Sequence, residues 1–472
     1  MALKFNLKGL GRIKDAHVNF SNLTIITGPN GTGKSFFTKT VYSIFKTVEQ
    51  ATAVSSIRSI LNECKEHIRD INYLYAEDES LRRFELSNVR GKDDLSYYVR
   101  YIEDVEALIK NTEIDQLELK TIMHKLFKTY FSKDSFKLYG DEALKASTSK
   151  EEELLKILIS GLSLRLMFLN ILTVSMDLDS PNIAIDFLLN EKFEDELKNN
   201  FQISNLRELL SGEELSLSLD SYFDFKLDDS GCKFSSAQKN ISLLINRPSA
   251  IFIESPVYWR VRDALIEARM NAGNQYLSGV PKYFFDLNSA LSKKSKTESE
   301  FLELSQKIDE ELGGYFILEQ GELSFHDSFE DKNISKNLVS FGMTNLGILN
   351  VLLKNNIIQK DSYIFIDEPE TNLHPDWQVL MIKTLVALSE KGVNVVINTH
   401  STDVLKFIEV HFKKLIKNES YTEEMLNDAL SINYFDIDGT TLEFESNSPV
   451  GQVKEALSAL SSSFFNLYME DI

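Results

Sequence analysis

Short unbroken apolar runs that stop against polar residues are the most regular feature of this chain. They are Leu23-Thr24-Ile25-Ile26-Thr27, Ser249-Ala250-Ile251-Phe252-Ile253, Ser362-Tyr363-Ile364-Phe365-Ile366 and Val393-Asn394-Val395-Val396-Ile397. Each predicts a strand buried on both faces. Ahead of the first, apolar positions alternate through Phe5, Leu7, Ile13, Val18 and Phe20 around a Gly9-Leu10-Gly11 break, which predicts a small β-layer. The period then changes. Phe37, Val41, Ile44, Phe45 and Val48 recur at helical spacing, predicting one helix from Phe36 to about Arg69.

From about residue 50 to 210 glycines and strand patterns are scarce. Leu95–Phe131 and Glu151–Leu178 carry apolar residues every three or four positions, broken by polar segments such as Ser147-Thr148-Ser149-Lys150. This stretch reads as a helical insertion. It lacks sustained heptads, so a compact helical domain or short hairpin is expected, not an extended coiled coil. Strand character returns over Glu214–Phe234 with a turn at Asp229-Ser230-Gly231, and a second hairpin is expected around Gln320-Gly321. Helices are predicted over Trp259–Met270, after the polar loop Ser292–Glu300 to about Leu312, and over Val450–Tyr468, with a strand pair at INYFDIDGTTLEFES. The pattern is α/β, with a mixed sheet in an N-terminal lobe (1–50) and a C-terminal lobe (211–472), and the helical insertion at 51–210.

Composition narrows the compartment and the partners. The chain has 472 residues, 43% hydrophobic, with a formal charge of −20 from 51 basic and 71 acidic residues. That charge disfavours coating nucleic acid by bulk electrostatics and leaves a local basic groove open. Cys64 and Cys232 form no C-x-x-C pair, so a disulfide framework or zinc site is not expected and a reducing cytoplasm fits. The first residues have no apolar signal-peptide core, and the apolar stretch Ile157–Met176 is interrupted by Ser160, Ser163, Arg165 and Asn170. No membrane association is expected.

The candidate chemistry begins where the first buried strand ends. Gly28-Pro29-Asn30-Gly31-Thr32-Gly33-Lys34-Ser35 fits the phosphate-loop pattern G-x-x-x-x-G-K-S/T at every fixed position. Its glycines let backbone N–H groups surround a phosphate, with the positive end of the next helix behind them. Lys34 would reach the β- and γ-phosphates of ATP, and the Ser35 hydroxyl would bind Mg²⁺. A second buried strand delivers Asp367 and then Glu368: one acid to hold Mg²⁺ through its water shell, one to orient or deprotonate attacking water. A third ends at His400, in reach of a γ-phosphate. His17, His67, His124, His326 and His411 have no metal-ligand spacing. Glu254 and Arg260, flanking SPVYW, are expected to be structural.

The motif FIDEPETNLHP, followed further on by a strand-end THS, resembles the ABC-type ATPases of the SMC, RecF and OLD group, which carry Walker B as apolar-D-E-P-E-x-x-L-H-P and a switch histidine in T-H-S. The resemblance covers roughly residues 1–50 and 245–440. It implies an ABC-type ATPase head, with Asn372-Leu373-His374 as the D-loop that meets a partner subunit. It also implies a signature motif at Val339–Gly347, where Ser340 and Gly342 would clamp a γ-phosphate bound by another subunit. Phe341 and Met343 depart from the small or acidic residues usual there, which bears on clamp closure and hydrolysis rate. No Q-loop glutamine is identifiable. The active unit implied is a homodimer or higher homo-oligomer, glued by ATP and released by hydrolysis. No second catalytic centre is expected, and the stretch after His400 is too short for an appended nuclease domain of the OLD kind. The layout resembles ATPase subunits of phage-defence systems such as Septu, retron-associated Septu-like and PARIS, which implies a separate effector such as a nuclease. A RecF-like repair ATPase that binds DNA stays open, as does a transporter subunit, although the latter usually has a full Ser-Gly-Gly signature.

Overall fold

The computed structural model describes residues 3–50, 53–78, 95–110, 116–131, 147, 149–174, 183–220, 222–229, 231–236, 249–254, 257–271, 277–293, 297–319, 322–418 and 421–470. In chain order the strands are β1 (Leu3–Leu10), β2 (Ile13–Phe20), β3 (Leu23–Thr27), β4 (Leu215–Leu219), β5 (Phe223–Asp228), β6 (Gly231–Ser236), β7 (Ala250–Ile253), β8 (Gly314–Glu319), β9 (Glu322–Asp327), β10 (Lys332–Ser335), β11 (Tyr363–Asp367), β12 (Asn394–Asn398) and β13 (Leu430–Tyr434). The apolar runs become neighbours in one five-stranded sheet of order β13-β3-β12-β11-β7, and every pairing in it is parallel. All but the last residue of β11, and all of β3, β7, β12 and β13, are buried, as strands covered on both faces must be. The mixed pattern read from the sequence is thus shared among sheets. The alternating strands build an antiparallel sheet, β2-β1-β4-β5-β6, and a three-stranded one, β10-β9-β8.

The helix Lys34–Gln50 lies between the two larger sheets and explains their aromatic content. Phe37 meets Phe5 and Phe20 of the antiparallel sheet, while Tyr42 packs on Phe252 and Phe45 stacks on Tyr363 with centroids 4.1 Å apart. Phe365, fully buried, is shared by Phe20, Tyr42, Phe45 and Phe252. This places the helix start, and the loop before it, at the C-terminal edge of the parallel sheet.

Contacts divide the chain into one unit of Met1–Glu49 with Asn190–Ile472 and another of Gln50–Leu189. The second is helical throughout its described residues, with Ala53–Glu77, Leu95–Lys110, Gln116–Tyr130 and Lys150–Val174 around its own core of Ile57, Leu61, Tyr101, Val105, Leu162 and Leu166. Cys64 belongs to this core, and burial pushes its thiol up to about 12. The insertion expected at 51–210 and this unit differ at their C-terminal edge. Residues 190–210 belong to the first unit, where Asn200 donates to the Ser43 hydroxyl (2.9 Å) and accepts from the Tyr283 N–H (3.0 Å).

Local structure departs from the sequence pattern in places. Residues 51 and 52 of the helix expected over Phe36–Arg69 lie outside the described residues; on either side of them Lys34–Gln50 and Ala53–Glu77 are helical and belong almost wholly to different units. Lys282–Leu291, for which the sequence pattern assigned no element, forms a helix that buries Tyr283, Phe284 and Phe285. The strand pair at INYFDIDGTTLEFES forms only its first half, β13, and the second half is held by single bridges such as Phe435 to Thr441. Ser230, Gln320 and Gly321 of the predicted turns lie outside the described residues, although the strands flanking both turns do pair. Among the described residues no helix is long and apolar enough to cross a membrane.

Phe365→Ala would empty the point where both sheets meet the helix. We expect it to cost about 3–5 kcal/mol of unfolding free energy, read as a lower denaturant midpoint with unchanged slope.

Candidate nucleotide-binding site

Parallel register assembles this site. Asp367 at the end of β11 pairs with Asn398 of β12, and Asn398 pairs with Ile26 of β3, just ahead of Gly28. Side chains far apart in sequence therefore emerge side by side at one sheet edge, the usual place for ligands in open α/β sheets.

The loop Gly28–Ser35 is tightly enclosed. Gly28 and Gly33 have φ of 135° and 99°, and a Cβ on them would lie 2.1 Å from the Phe435 carbonyl oxygen and 2.6 Å from Ile13 Cγ1. Only glycine fits either place. Lys34 Nζ is buried and donates to the carbonyls of Gly28 (2.9 Å) and Pro29 (2.6 Å), and the Thr32 hydroxyl donates to Pro29 O (3.0 Å). Burial lowers the Lys34 pKa, and the charges of Asp367 and Glu368 oppose that shift. A cavity of about 480 Å³, lined by Gly28, Pro29, Asn30, His400, Tyr434 and Asp436 among others, opens beside the loop.

Asn398 is the residue that sequence reasoning missed. Its Nδ2 donates to both the Ser35 hydroxyl (3.1 Å) and Asp367 Oδ1 (2.5 Å), so one amide holds both expected Mg²⁺ ligands. Its own Oδ1 is buried without a partner. Burial raises the Asp367 pKa to about 6, and the negative charge of Glu254 adds to the effect. A half-buried carboxylate and hydroxyl beside an unpartnered amide oxygen form a hard-oxygen set that fits Mg²⁺. The signal available in sequence was only an asparagine at the last position of a buried strand.

Glu368 turns the chain sharply, with a left-handed φ of 52° that a glutamate rarely adopts. Its N–H donates to the Asn398 carbonyl (2.8 Å), its Oε2 accepts from the Thr371 hydroxyl (3.1 Å), and its Oε1 lies 3.3 Å from His400 Nδ1. The carboxylate is thereby aimed beside the loop at about half exposure. Glu254, which follows β7, pairs with Lys39 Nζ at 2.8 Å and accepts from the Tyr283 hydroxyl, so it faces the site electrostatically. The Arg12 guanidinium reaches the loop from the β1–β2 turn and donates to Gly31 O at 3.3 Å.

The structure brings Gly28–Ser35, Asp367, Glu368 and His400 together, while the contacts shown for Ser340 and Gly342 are with their own helix and with Asn372–Leu373. Ser340 caps the helix Phe341–Lys354, accepting from Met343 N–H at 3.2 Å. Gly342 lies flat on Asn372 and Leu373, where a Cβ would meet the Asn372 carbonyl oxygen at 2.6 Å. Arg260 covers the Phe341 ring at 4.2 Å from its centroid. Among the described residues these contacts join the signature stretch to the 372–373 segment, not to the loop.

A family model described as AAA ATPase domain matches residues 1–405. Over 99 residues the chain is similar, at 36% identity, to the Old nuclease of Escherichia phage P2, a match covering 19% of this chain and 17% of that protein. The chain thus spans under a fifth of the length of that curated relative. Among solved structures, the SMC head domain from Thermotoga maritima aligns over 86% of this chain and 92% of its own, at 11% identity and a TM-score of 0.32. The Smc head domain with a coiled coil and joint derived from Pyrococcus yayanosii aligns over 97% and 100%, at 12% identity and a TM-score of 0.30.

The half-buried acid gives a pH prediction. A folded pKa of about 6, above the ordinary 3.8, means that the native state holds this proton more tightly than the unfolded chain does. The stability from this group is complete below the unfolded value and lost as pH rises through about 6. Glu254 and Glu368 face the carboxylate, and Lys34 and Lys39 only partly offset them. In nucleotide- and metal-free protein, Asp367→Asn should be stabilising, with the gain growing by about 1–2 kcal/mol from about pH 5 to about pH 8 in thermal melts.

Proposed function

The chain belongs to the AAA ATPase domain family, and on that premise we propose that it binds ATP with Mg²⁺ and hydrolyses it, possession of the nucleotide driving a dimerisation that controls a separate effector, a nuclease, in antiphage defence. The observation that carries the hydrolytic part is the placement of Glu368. It stands at the mouth of the loop, braced by Thr371 and 3.3 Å from His400, where it would take the proton of an attacking water while His400 contacts the γ-phosphate. Lys34 would exchange the Gly28 and Pro29 carbonyls for phosphate oxygens, which accept charge-assisted bonds. Ser35 and Asp367 would hold Mg²⁺, whose charge offsets that of the phosphates.

The second half of the site supports completion by another copy. Ser340 caps its helix, and Gly342 in that helix's first turn lies against Asn372–Leu373, the segment the family resemblance makes a partner-facing loop. A γ-phosphate bound by a second subunit would meet the Ser340 hydroxyl and the free N–H groups of that helix start. Each nucleotide would then need both copies, in a closed two-fold arrangement. The likeness to the Old nuclease supports a link to nuclease chemistry, which this reading assigns to a partner chain.

Lys34→Ala should weaken ATP binding at least about thirtyfold by fluorescent-nucleotide titration, the loss of roughly 2 kcal/mol of charge-assisted bonding. Glu368→Gln should cut phosphate release by about 10²–10⁴ and accumulate an ATP-bound dimer by light scattering. A wild-type rate in Glu368→Gln would refute the base assignment. Affinity capture of the Glu368→Gln protein from its native host tests the finer reading. A co-purifying nuclease supports it, whereas recovered DNA alone or a membrane permease replaces it with repair or transport.

A further inference from the structure

Glu370 is a buried acid for which nucleotide binding has no use. It follows the expected base by two positions, is 9% exposed, and sends Oε1 to accept the Thr399 hydroxyl proton at 2.6 Å. Its Oε2 is buried with no hydrogen-bond partner. An unshared carboxylate in the interior costs several kcal/mol unless its geometry serves a purpose.

That geometry joins the two segments that meet at the proposed water site. Thr399 immediately precedes His400, and its Oγ1 in turn accepts from the Ser401 N–H at 3.0 Å, so the hydroxyl fixes the backbone on both sides of the histidine. Its own N–H is tied to the Ile26 carbonyl of β3 at 3.0 Å. On the other side, the Glu370 carbonyl accepts from Gln378 Nε2 (3.3 Å), which also donates to Leu373 O (3.1 Å). The helix Pro375–Glu390 thereby anchors the turn that holds Glu368 and Asn372 in left-handed conformations, φ 52° and 61°. Between these anchors, Glu368 Oε1 and His400 Nδ1 face one another at 3.3 Å; the Glu368 N–H to the Asn398 carbonyl and the Thr371 hydroxyl hold the glutamate, whereas the histidine side chain has its backbone fixed through Thr399.

We propose that Glu370, acting through Thr399, is the positioning residue that sets the separation of Glu368 and His400. Among the described residues, the hydrogen bonds of Glu370 run to Thr399, Leu373 and Gln378, not to the loop or to Ser35 or Asp367. Glu370 works as a strut between the acid turn and the histidine strand end. Misplacement of a reacting group by about an ångström costs up to about 10²-fold in rate, and the strut acts on kcat, leaving ATP affinity to Lys34 and the loop.

The inference rests on the proposed ATPase reading, and paired variants separate the two. Thr399→Val removes the hydroxyl at constant shape, and Thr399→Ser keeps it; Glu370→Leu removes the acceptor, and Glu370→Gln keeps one. In the full chain we expect Thr399→Val and Glu370→Leu to lower kcat about tenfold to a hundredfold with KM and fluorescent-nucleotide affinity unchanged, while Thr399→Ser and Glu370→Gln stay within about threefold of wild type. An unchanged kcat in Thr399→Val overturns the proposal. So does an equal loss in Thr399→Ser, or a loss of kcat that follows a fall in melting temperature across all the variants. Glu368→Gln is the control. If it hydrolyses ATP normally, the base assignment fails; if it is inactive while Thr399→Val is fully active, only the strut fails.

Discussion

The parallel pairing of β3, β12 and β11 is the constraint on which the rest depends. Backbone hydrogen bonds in a parallel ladder allow no slip without turning every side chain to the opposite face, and here both faces are covered by apolar residues. The register therefore places Ile26, Asn398 and Asp367 in line, and the loop, the acid and the histidine follow at the same edge. Asn398 turns this alignment into chemistry, since one amide group bonds the hydroxyl of the loop and the carboxylate of the neighbouring strand.

The site concentrates unfavourable electrostatics. Lys34 is buried, Asp367 is held up to about 6 by burial and by Glu254, and burial also raises Glu370. These groups would be cheaper in water. What holds them is the aromatic packing beneath, where Phe45, Tyr363, Phe365 and Phe252 lock the helix Lys34–Gln50 to the strands that carry the acids. Stability invested in this core permits a cluster of half-buried acids that the neighbouring lysines only partly offset. The backbone strain at Glu368 belongs to the same economy, because a left-handed glutamate persists only where its surroundings over-determine it.

The helical unit Gln50–Leu189 follows a different logic. It has a separate apolar core. Helical periodicity runs from Lys34–Gln50 into Ala53–Glu77 although the two belong almost wholly to different units, because periodicity reports which side of a helix is buried and not against what.

Motif and period alone determined much of this protein. The buried strands, the phosphate loop, Asp367, Glu368 and His400 were legible because each rests on local rules: apolar runs of strand length, glycines that a tight loop demands, and acids at strand ends. Tertiary structure decided what local rules do not encode. Asn398 acquires its role from strand register, Glu370 from a bond to a residue 29 positions away, and Glu254 from lying one strand over from Asp367. The helix Lys282–Leu291, for which the sequence pattern assigned no element, buries Tyr283, Phe284 and Phe285. Ser340 and Gly342 were named from sequence, yet only the fold shows Ser340 capping its helix and Gly342 lying on Asn372–Leu373. Non-local contacts carry these assignments, and residue spacing along a chain holds no record of them.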